Sequence, residues 1–335
     1  MENEEKITHI ALPAPERGQV HRLSFYLAME EFVANNLRQL DECFFMWQVK
    51  PTVIFGRNQL IENEVNLEYC RAHNIDTIRR KSGGGCVYAD MNNVMFSYIN
   101  TGWDITLTFD HYIKKTVSML RSLGVDATSS SRNDILIDGR KVSGYAFYHI
   151  PGRNIVHGTM LFDTDMQNMV GSITPSDQKL VSKGVESVRQ HICLLKDYIG
   201  DRMDVNQFKE YTKKYLCNDE YTLTAEDVAR IREIQKEYHD PAYIYGHNPA
   251  YTTSRHIRLE NVGEFEVALD IKGSKIRGLN IMGDFFLTGD LNALISTLKG
   301  APYNREALKE KIEEIDTEHI IMGLTREKLL QLLID

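Results

Sequence analysis

Three consecutive glycines, Gly83, Gly84 and Gly85, follow the run Arg79-Arg80-Lys81-Ser82 and separate two segments of extended character, 76–80 and 87–99. Glycine loses the most backbone freedom on folding and packs nothing, so three in a row fit where a chain turns sharply or approaches another backbone or a ligand closely. The chain therefore has to contain a strand, a glycine loop and a second strand, with unobstructed peptide N–H groups beside three cations. Such donors and cations suit phosphate and carboxylate oxygens. Composition alone leaves two readings open, an anion site and a plain glycine turn with solvated basic residues. A P-loop is excluded: Cys86 and Val87 stand where that motif has its lysine and hydroxyl residue, and the glycines open a strand instead of a helix. A dinucleotide fingerprint is equally absent.

The surrounding pattern is α+β. Apolar residues recur at helical spacing from Leu23 to Leu40, predicting an amphipathic helix, and again from His111 to Leu123, where Gly124 supplies the stop. Segments 43–49 and 52–55 read as strands interrupted at Pro51, 64–73 as a helix and 155–162 as a strand. Asp138-Gly139 lies between 135–137 and 141–144, which predicts a two-residue hairpin. A short helix is expected over 165–170, and longer ones over 207–216 and 225–238. The stretch 240–253 is rich in Pro, Gly, Tyr and Asn and marks a junction, so a division into 1–247 and 248–335 is expected. Beyond it, 255–259, 264–271 and 275–282 read as a small antiparallel sheet with a Lys272-Gly273 turn, followed by helices from Leu291, Arg305 and Thr325.

At 335 residues, two domains are the natural expectation. The 42% hydrophobic and 26% charged shares are those of an ordinary globular protein. A formal charge of -8 argues against a nucleic-acid binder, which needs a dense basic face. The five cysteines, Cys43, Cys70, Cys86, Cys193 and Cys217, have neither paired nor metal-ligand spacing, which fits a reducing compartment. The start MENEEKITHI lacks the basic and apolar regions of a secretory signal, and no run of 18 apolar residues occurs, so a cytoplasmic location off the membrane is expected.

A second chemical constellation is Ser131-Arg132-Asn133-Asp134, leading through the hairpin to Arg140-Lys141-Val142-Ser143-Gly144. A lysine at the start of a returning strand can present a compact charge to a carboxylate and a phosphate together, with Asp134 accepting a hydrogen bond or helping to hold magnesium. Read without further context, Lys141 fits an ordinary edge charge as well. His157-Gly158-Thr159 lies in a strand, where spacing alone gives the histidine no acid-base role. Lys183-Gly184 through Arg189 is a third basic patch, also readable as a capped turn. No Gly-x-Ser-x-Gly elbow, His-Glu-x-x-His helix or paired-carboxylate signature is present.

Taken in order, these segments resemble the lipoate-protein ligase family, whose relatives include biotin ligases and octanoyltransferases. The resemblance rests on Leu27-Ala28-Met29-Glu30-Glu31, Gly56-Arg57-Asn58-Gln59, Glu64-Val65-Asn66, Arg79 through Gly85, Arg132-Asn133-Asp134, Lys141-Val142-Ser143-Gly144, His157-Gly158-Thr159 and Lys183-Gly184 with Ser187-Val188-Arg189. It implies a large mixed-sheet catalytic domain of the biotin/lipoate ligase type. The C-terminal part, with Tyr243-Ile244-Tyr245-Gly246 and Gly283-Asp284-Phe285-Phe286, resembles the small α+β accessory domain of full-length ligases.

The resemblance further implies ATP, magnesium and lipoate as reactants. Lys141 matches the catalytic position that meets the lipoate carboxylate and the α-phosphate. Arg80, Gly85, Cys86, Val87, Tyr88, Asp134 and Lys141 match positions at ATP or the adenylate, with Asp134 a possible contact of magnesium brought by ATP. Arg80, Gly83, Gly84, Lys141 and His157 fall to lipoate. The implied partners are lipoyl domains of 2-oxoacid dehydrogenase acyltransferase subunits or the glycine cleavage H protein, met by a monomer. Lipoate, octanoate and analogues stay open as the acid. An ATP-independent acyltransferase using Cys86 or Cys193, and a non-catalytic lipoate-binding module, are the competing readings. Two segments depart from the family pattern: Asn92 stands where glycine is common, with left-handed backbone expected to be tolerated there, and Gln190-His191-Ile192-Cys193 replaces a more basic version.

Overall fold

The computed structural model describes residues 6–59, 61–102, 105–130, 134–173, 190–245 and 253–334. Its centre is a mixed sheet of β1 (Ile7–Ala11), β2 (Glu42–Trp47), β6 (Val94–Thr101), β7 (Ala127–Ser129), β8 (Asp134–Ile137), β9 (Arg140–Ile150), β10 (Arg153–Met160) and β11 (Asp219–Thr222). Their spatial order is β11-β1-β2-β6-β10-β9-β8-β7. β1 is parallel to both its neighbours, and the remaining pairs are antiparallel. A smaller sheet of β3 (Thr52–Phe55), β4 (Asp76–Arg79) and β5 (Val87–Ala89), ordered β4-β3-β5, carries the glycine loop between its last two strands.

Alternation along the strands explains why helices cover both faces of the large sheet. In β2, Cys43, Phe45 and Trp47 point to one side, where the helix Leu23–Asn36 packs with Phe25, Phe32 and Val33. Phe44 points to the other side, toward Tyr112 of the helix Ile105–Ser122 and Phe208 of Val205–Leu216. Each large apolar side chain buried this way contributes roughly 1.5–3 kcal/mol.

The hairpin turn is as expected: Asp138 and Gly139 have φ of 50° and 74°, which suits a two-residue turn between twisted strands. Other expectations need correction. The extended run 87–99 is two strands in different sheets, broken at Asp90–Asn93, because the Asp90 carboxylate caps the turn by accepting from the Asn92 and Asp165 N–H groups and the Thr164 hydroxyl. Among the described residues, those outside glycine with a left-handed backbone are Asn74, Asp138, Asn261 and Ser274. Asn92 does not use the tolerance expected of it. The helix expected over 64–73 is reduced to Leu67–Ala72 behind a short turn Ile61–Glu64.

The C-terminal unit is an antiparallel sheet of β12 (Thr253–Leu259), β13 (Gly263–Lys272) and β14 (Lys275–Gly283), with helices Leu291–Leu298, Arg305–Glu313 and Arg326–Ile334. Its turn is Gly273-Ser274, one residue later than expected, both with positive φ. It has a core of its own, including Phe265, Leu294, Leu308 and Leu329. The expected division at 247/248 lies outside the described residues, as do Arg132-Asn133, Lys183 through Arg189 and Gly246. The two units meet through the Gly283 N–H on the Asn58 carbonyl and the Gly84 N–H on the Phe285 carbonyl, both 2.9 Å. Phe286 continues inward and stacks on Phe147 of β9, ring centres 5.5 Å apart.

Candidate active site

Lys141 owes its position to an irregularity in the β8-β9 hairpin. The register shifts between Ile135 and Leu136, so that Asp134 lies opposite Gly144 while Leu136 lies opposite Lys141. The Lys141 side chain runs back over Gly144 and brings Nζ 2.7 Å from Asp134 Oδ1. A Cβ at residue 144 would meet Cε and Nζ of Lys141 at 2.5 Å, so glycine there is what lets the lysine lie flat. The pair is partly exposed, 37% and 25% for the two side chains, which leaves the ammonium accessible to an anion.

Beside it lies a cavity of about 110 Å³ whose walls include Leu27, Trp47, Met95, Tyr145 and Phe286. Among the expected site residues, Arg80, Gly84, Gly85, Cys86, Val87, Lys141 and His157 line it. Gly83 does not. It faces the accessory unit, where a Cβ would strike the Phe285 carbonyl. Tyr88 is buried with Val53 and Phe55 in a separate cluster behind the small sheet. Asp134 reaches the cavity only through Lys141.

The three cations before the glycines are committed to the protein itself, so neither of the two readings left open by composition, free cations for an anion or solvated basic residues on a plain turn, describes them. Arg79 donates to the carbonyls of Gly56, Arg57, Gln59 and Ile244 and lies over the Phe55 ring. Lys81 pairs with Glu31 and Glu237, both at 2.8 Å. Arg80 is buried and donates to Ser82 Oγ and the carbonyls of Ile54, Gly83 and Gly85, using four of the five N–H groups of a guanidinium. Burial lowers its pKa to about 10, which still leaves it charged near neutrality. Among the described residues, the cation lining the cavity that stays partly exposed to a ligand is Lys141.

Neither candidate cysteine is in an activating setting. Desolvation pushes the Cys86 thiol well above its usual range, and Cys193 is buried against the Arg140 carbonyl with its pKa also raised by desolvation. The segment Gln190–Cys193 departs from the family pattern but has a backbone role: the Cys193 N–H donates to the Lys141 carbonyl at 2.9 Å, bracing the strand that carries the lysine. Among the described residues no group of three or more His, Cys, Asp or Glu side chains is gathered to hold a metal ion. A lone carboxylate such as Asp134 fits magnesium only as magnesium arrives on phosphates, which supply most of its ligands.

Glu30, Ser82, Trp47 and Phe286 were given no site role from the sequence, although three of them stand in the matched segments. Glu30 gave a signal, since it falls on the apolar stripe of its helix, three residues after Leu27 and three before Val33, where a carboxylate has to be buried. Phe286 gave none, because its contact depends on how the accessory unit docks.

A largely apolar pocket with a partly exposed lysine beside it and a glycine loop along one side has the chemistry to take an apolar tail and to meet an anionic end. Residues 23–217 match the family described as Lipoyl protein ligase A/B catalytic domain, and residues 248–333 match the Bacterial lipoate protein ligase C-terminus. Lipoate--protein ligase 1 of Staphylococcus aureus is 34% identical over 313 residues, 92% of this chain and 95% of the relative. The chain belongs to the lipoate-protein ligase family. Its fold is similar to that of P. falciparum LipL1, solved in complex with lipoate, with a TM-score of 0.76 at 19% identity, covering 98% of this chain and 97% of that one. It is also similar to a lipoate-protein ligase A solved with ATP, with a TM-score of 0.62 at 22% identity, covering 72% of this chain and 99% of that one.

Proposed function

We propose that the chain activates lipoate with ATP and passes the lipoyl group to a lysine of a lipoyl domain, through the residues that surround Lys141. The observation that carries this assignment is the Lys141 ammonium, held by Gly144 and Asp134 beside a cavity whose walls are largely apolar. In the first half-reaction a carboxylate oxygen of the acid attacks the α-phosphorus of ATP, and pyrophosphate leaves. In the second, a carrier lysine amine attacks the acyl carbon, AMP leaves, and the amine gives up a proton. Both steps gather negative charge between acyl group and phosphate, and a preorganised ammonium at that point stabilises it. Bound magnesium would neutralise charge on the phosphates, and Asp134, beside Lys141, is the carboxylate that would meet it.

The acyl tail takes the slot between Trp47, Met95 and His157. Gly85, Cys86 and Val87 offer backbone to the adenylate, and Gly83 and Tyr88 support the loop from behind. The carrier is a lipoyl domain, of a 2-oxoacid dehydrogenase acyltransferase subunit or the glycine cleavage H protein. The net charge of -8 gives no reason to invoke nucleic acid. No helix among the described residues is long and apolar enough to cross a membrane. We place the enzyme in the cytoplasm as a monomer, divided at residues 247 and 248. The cysteine acyltransferase reading loses its motive at Cys86 and Cys193, whose thiols are both shifted away from the reactive thiolate.

The test is mass spectrometry of an apo-lipoyl domain incubated with the protein, magnesium and lipoate, with and without ATP. A lipoyl mass gain only with ATP is the expected result. A gain without ATP, or no gain and no adenylate, overturns the proposal.

A further inference from the structure

Glu30 is fully buried, and so is Ser82, while Arg80 and His157 retain 4% and 6% exposure. A buried carboxylate and a buried guanidinium each carry a large desolvation penalty unless they are paired. These two do not touch. A hydrogen-bonded chain joins them instead: Arg80 Nε lies 2.9 Å from Ser82 Oγ, Ser82 Oγ 2.6 Å from His157 Nε2, and His157 Nδ1 2.9 Å from Glu30 Oε2. A second arm reaches the other carboxylate oxygen, with Trp47 Nε1 2.8 Å from Ser97 Oγ and Ser97 Oγ 2.6 Å from Glu30 Oε1.

The ends fix four of these five bonds, since arginine and indole nitrogens only donate and an ionised carboxylate only accepts. Arg80 therefore donates to Ser82, and His157 Nδ1–H goes to Glu30. The Ser82–His157 bond can run either way, and the relay takes the hydroxyl hydrogen of Ser82 to Nε2 of a neutral imidazole. Trp47 donates to Ser97, which donates to Glu30. Both arms converge on one carboxylate, and the Arg80 cation is balanced through the imidazole.

Arg80 in turn grips the glycine loop, with Nη2 2.6 Å from the Gly83 carbonyl and 2.7 Å from the Gly85 carbonyl. In a trans peptide the N–H points opposite to the C=O, so this grip turns the Gly84 and Cys86 N–H groups away from Arg80. The Gly84 N–H accordingly meets the Phe285 carbonyl. The Cys86 N–H belongs to the stretch that lines the cavity.

We propose that Glu30 is a positioning residue for acid activation, which fixes the His157 tautomer and, through Ser82 and Arg80, holds the glycine loop with its N–H groups presented outward. The inference rests on the ligase reading for the reaction it serves, but the relay itself is a property of the protein without substrate. Lys141 neutralises charge directly; Glu30 acts on the loop carbonyls through four successive hydrogen bonds. A glutamate kept only for stability would show its effect in melting and leave the response to lipoate unchanged.

Two measurements test this on the full chain. Nitrogen-15 NMR of the unmodified protein, with the His157 resonances assigned by their loss in His157→Gln, should show Nδ1 protonated and Nε2 bare. A proton on Nε2, alone or together with one on Nδ1, would sink the relay whether or not the protein is a ligase, and no folded variant other than the assignment control is needed. Lipoate-dependent pyrophosphate release then separates roles. Glu30→Gln and Ser82→Ala should each raise the KM for lipoate about tenfold, with a smaller change in kcat, and the double variant should be no worse than the worse single, as coupled sites are. Losses that multiply in the double variant, or a lipoate KM within twofold of the parent in Glu30→Gln, overturn the positioning role. Absence of pyrophosphate release in the parent, with the expected tautomer present, would fault the ligase reading and leave the relay standing.

Discussion

The cavity beside Lys141 has two walls built on different terms. On the catalytic side, the glycine loop, Arg80, His157 and Glu30 belong to one chain of buried hydrogen bonds, in which Arg80 alone makes four. On the accessory side, Phe286 fills space by stacking on Phe147, and its neighbour Phe285 contributes one carbonyl to the Gly84 N–H. A satisfied polar network in low dielectric resists deformation, whereas one ring and one backbone bond at a domain boundary are displaced at modest cost. The free volume points the same way. At about 110 Å³ the cavity is smaller than the ~150 Å³ hole that takes up a benzene ring, and Phe286 is part of its wall. If the acid enters here, the first wall is the one expected to hold its geometry and the second the one expected to yield.

The largest effect expected on the fixed side comes from Lys141→Ala. Loss of a charge-stabilising donor in an active site lowers turnover about 100- to 1000-fold, and adenylate formation should fall by that amount. Because the Lys141–Asp134 pair is partly exposed, the change in stability should stay below about 1 kcal/mol. Thermal melting beside a pyrophosphate assay separates the two. Turnover within tenfold of the parent would move the charge-stabilising role elsewhere and remove the contrast between the walls.

On the yielding side, Phe286→Ala should tighten lipoate binding measured by calorimetry without ATP, by several-fold, since the ring competes for the same space. A truncated buried phenylalanine usually costs about 3–5 kcal/mol, but that figure belongs to sealed cores. Here part of the ring borders a cavity, so the loss in melting should fall below that range. Weaker lipoate binding instead would mean that Phe286 is part of the bound pocket, and both walls would then be fixed.

The same contrast explains what could be read from the sequence. The hairpin at Asp138-Gly139, the lysine behind it and the glycine run are local signals, and each stands where spacing put it. The parallel pairs of β1 and β11 were missed, because short strands at the sheet edge pair with residues some 200 positions away and carry little periodicity of their own. The run of cations before the glycines misled for a related reason. Charge is visible in sequence, but whether it is spent on carbonyls, as Arg79 and Arg80 are, depends on contacts with Ile54, Gly56 and Ile244 that only the fold creates. Glu30 was legible as an acid on an apolar stripe, though not its partners.

The smallest effect sharpens the comparison from inside the fixed wall. Cys86 lines the cavity next to Gly85, so a mechanism with a covalent acyl-enzyme would need its sulfur. A thiol whose ionisation is pushed up by desolvation supplies little thiolate near neutral pH, and the thiolate is the attacking species. What the loop contributes at residue 86 is its backbone, whose N–H is turned away from the Arg80 grip whatever the side chain is. Cys86→Ala should accordingly keep ATP-dependent lipoyl transfer within about twofold of the parent, since it removes one atom from a wall that already borders open space. An acyl-thioester trapped on Cys86, or a loss of transfer comparable to that of Lys141→Ala, would make the side chain a reactant and replace adenylate chemistry with acyl exchange at this wall.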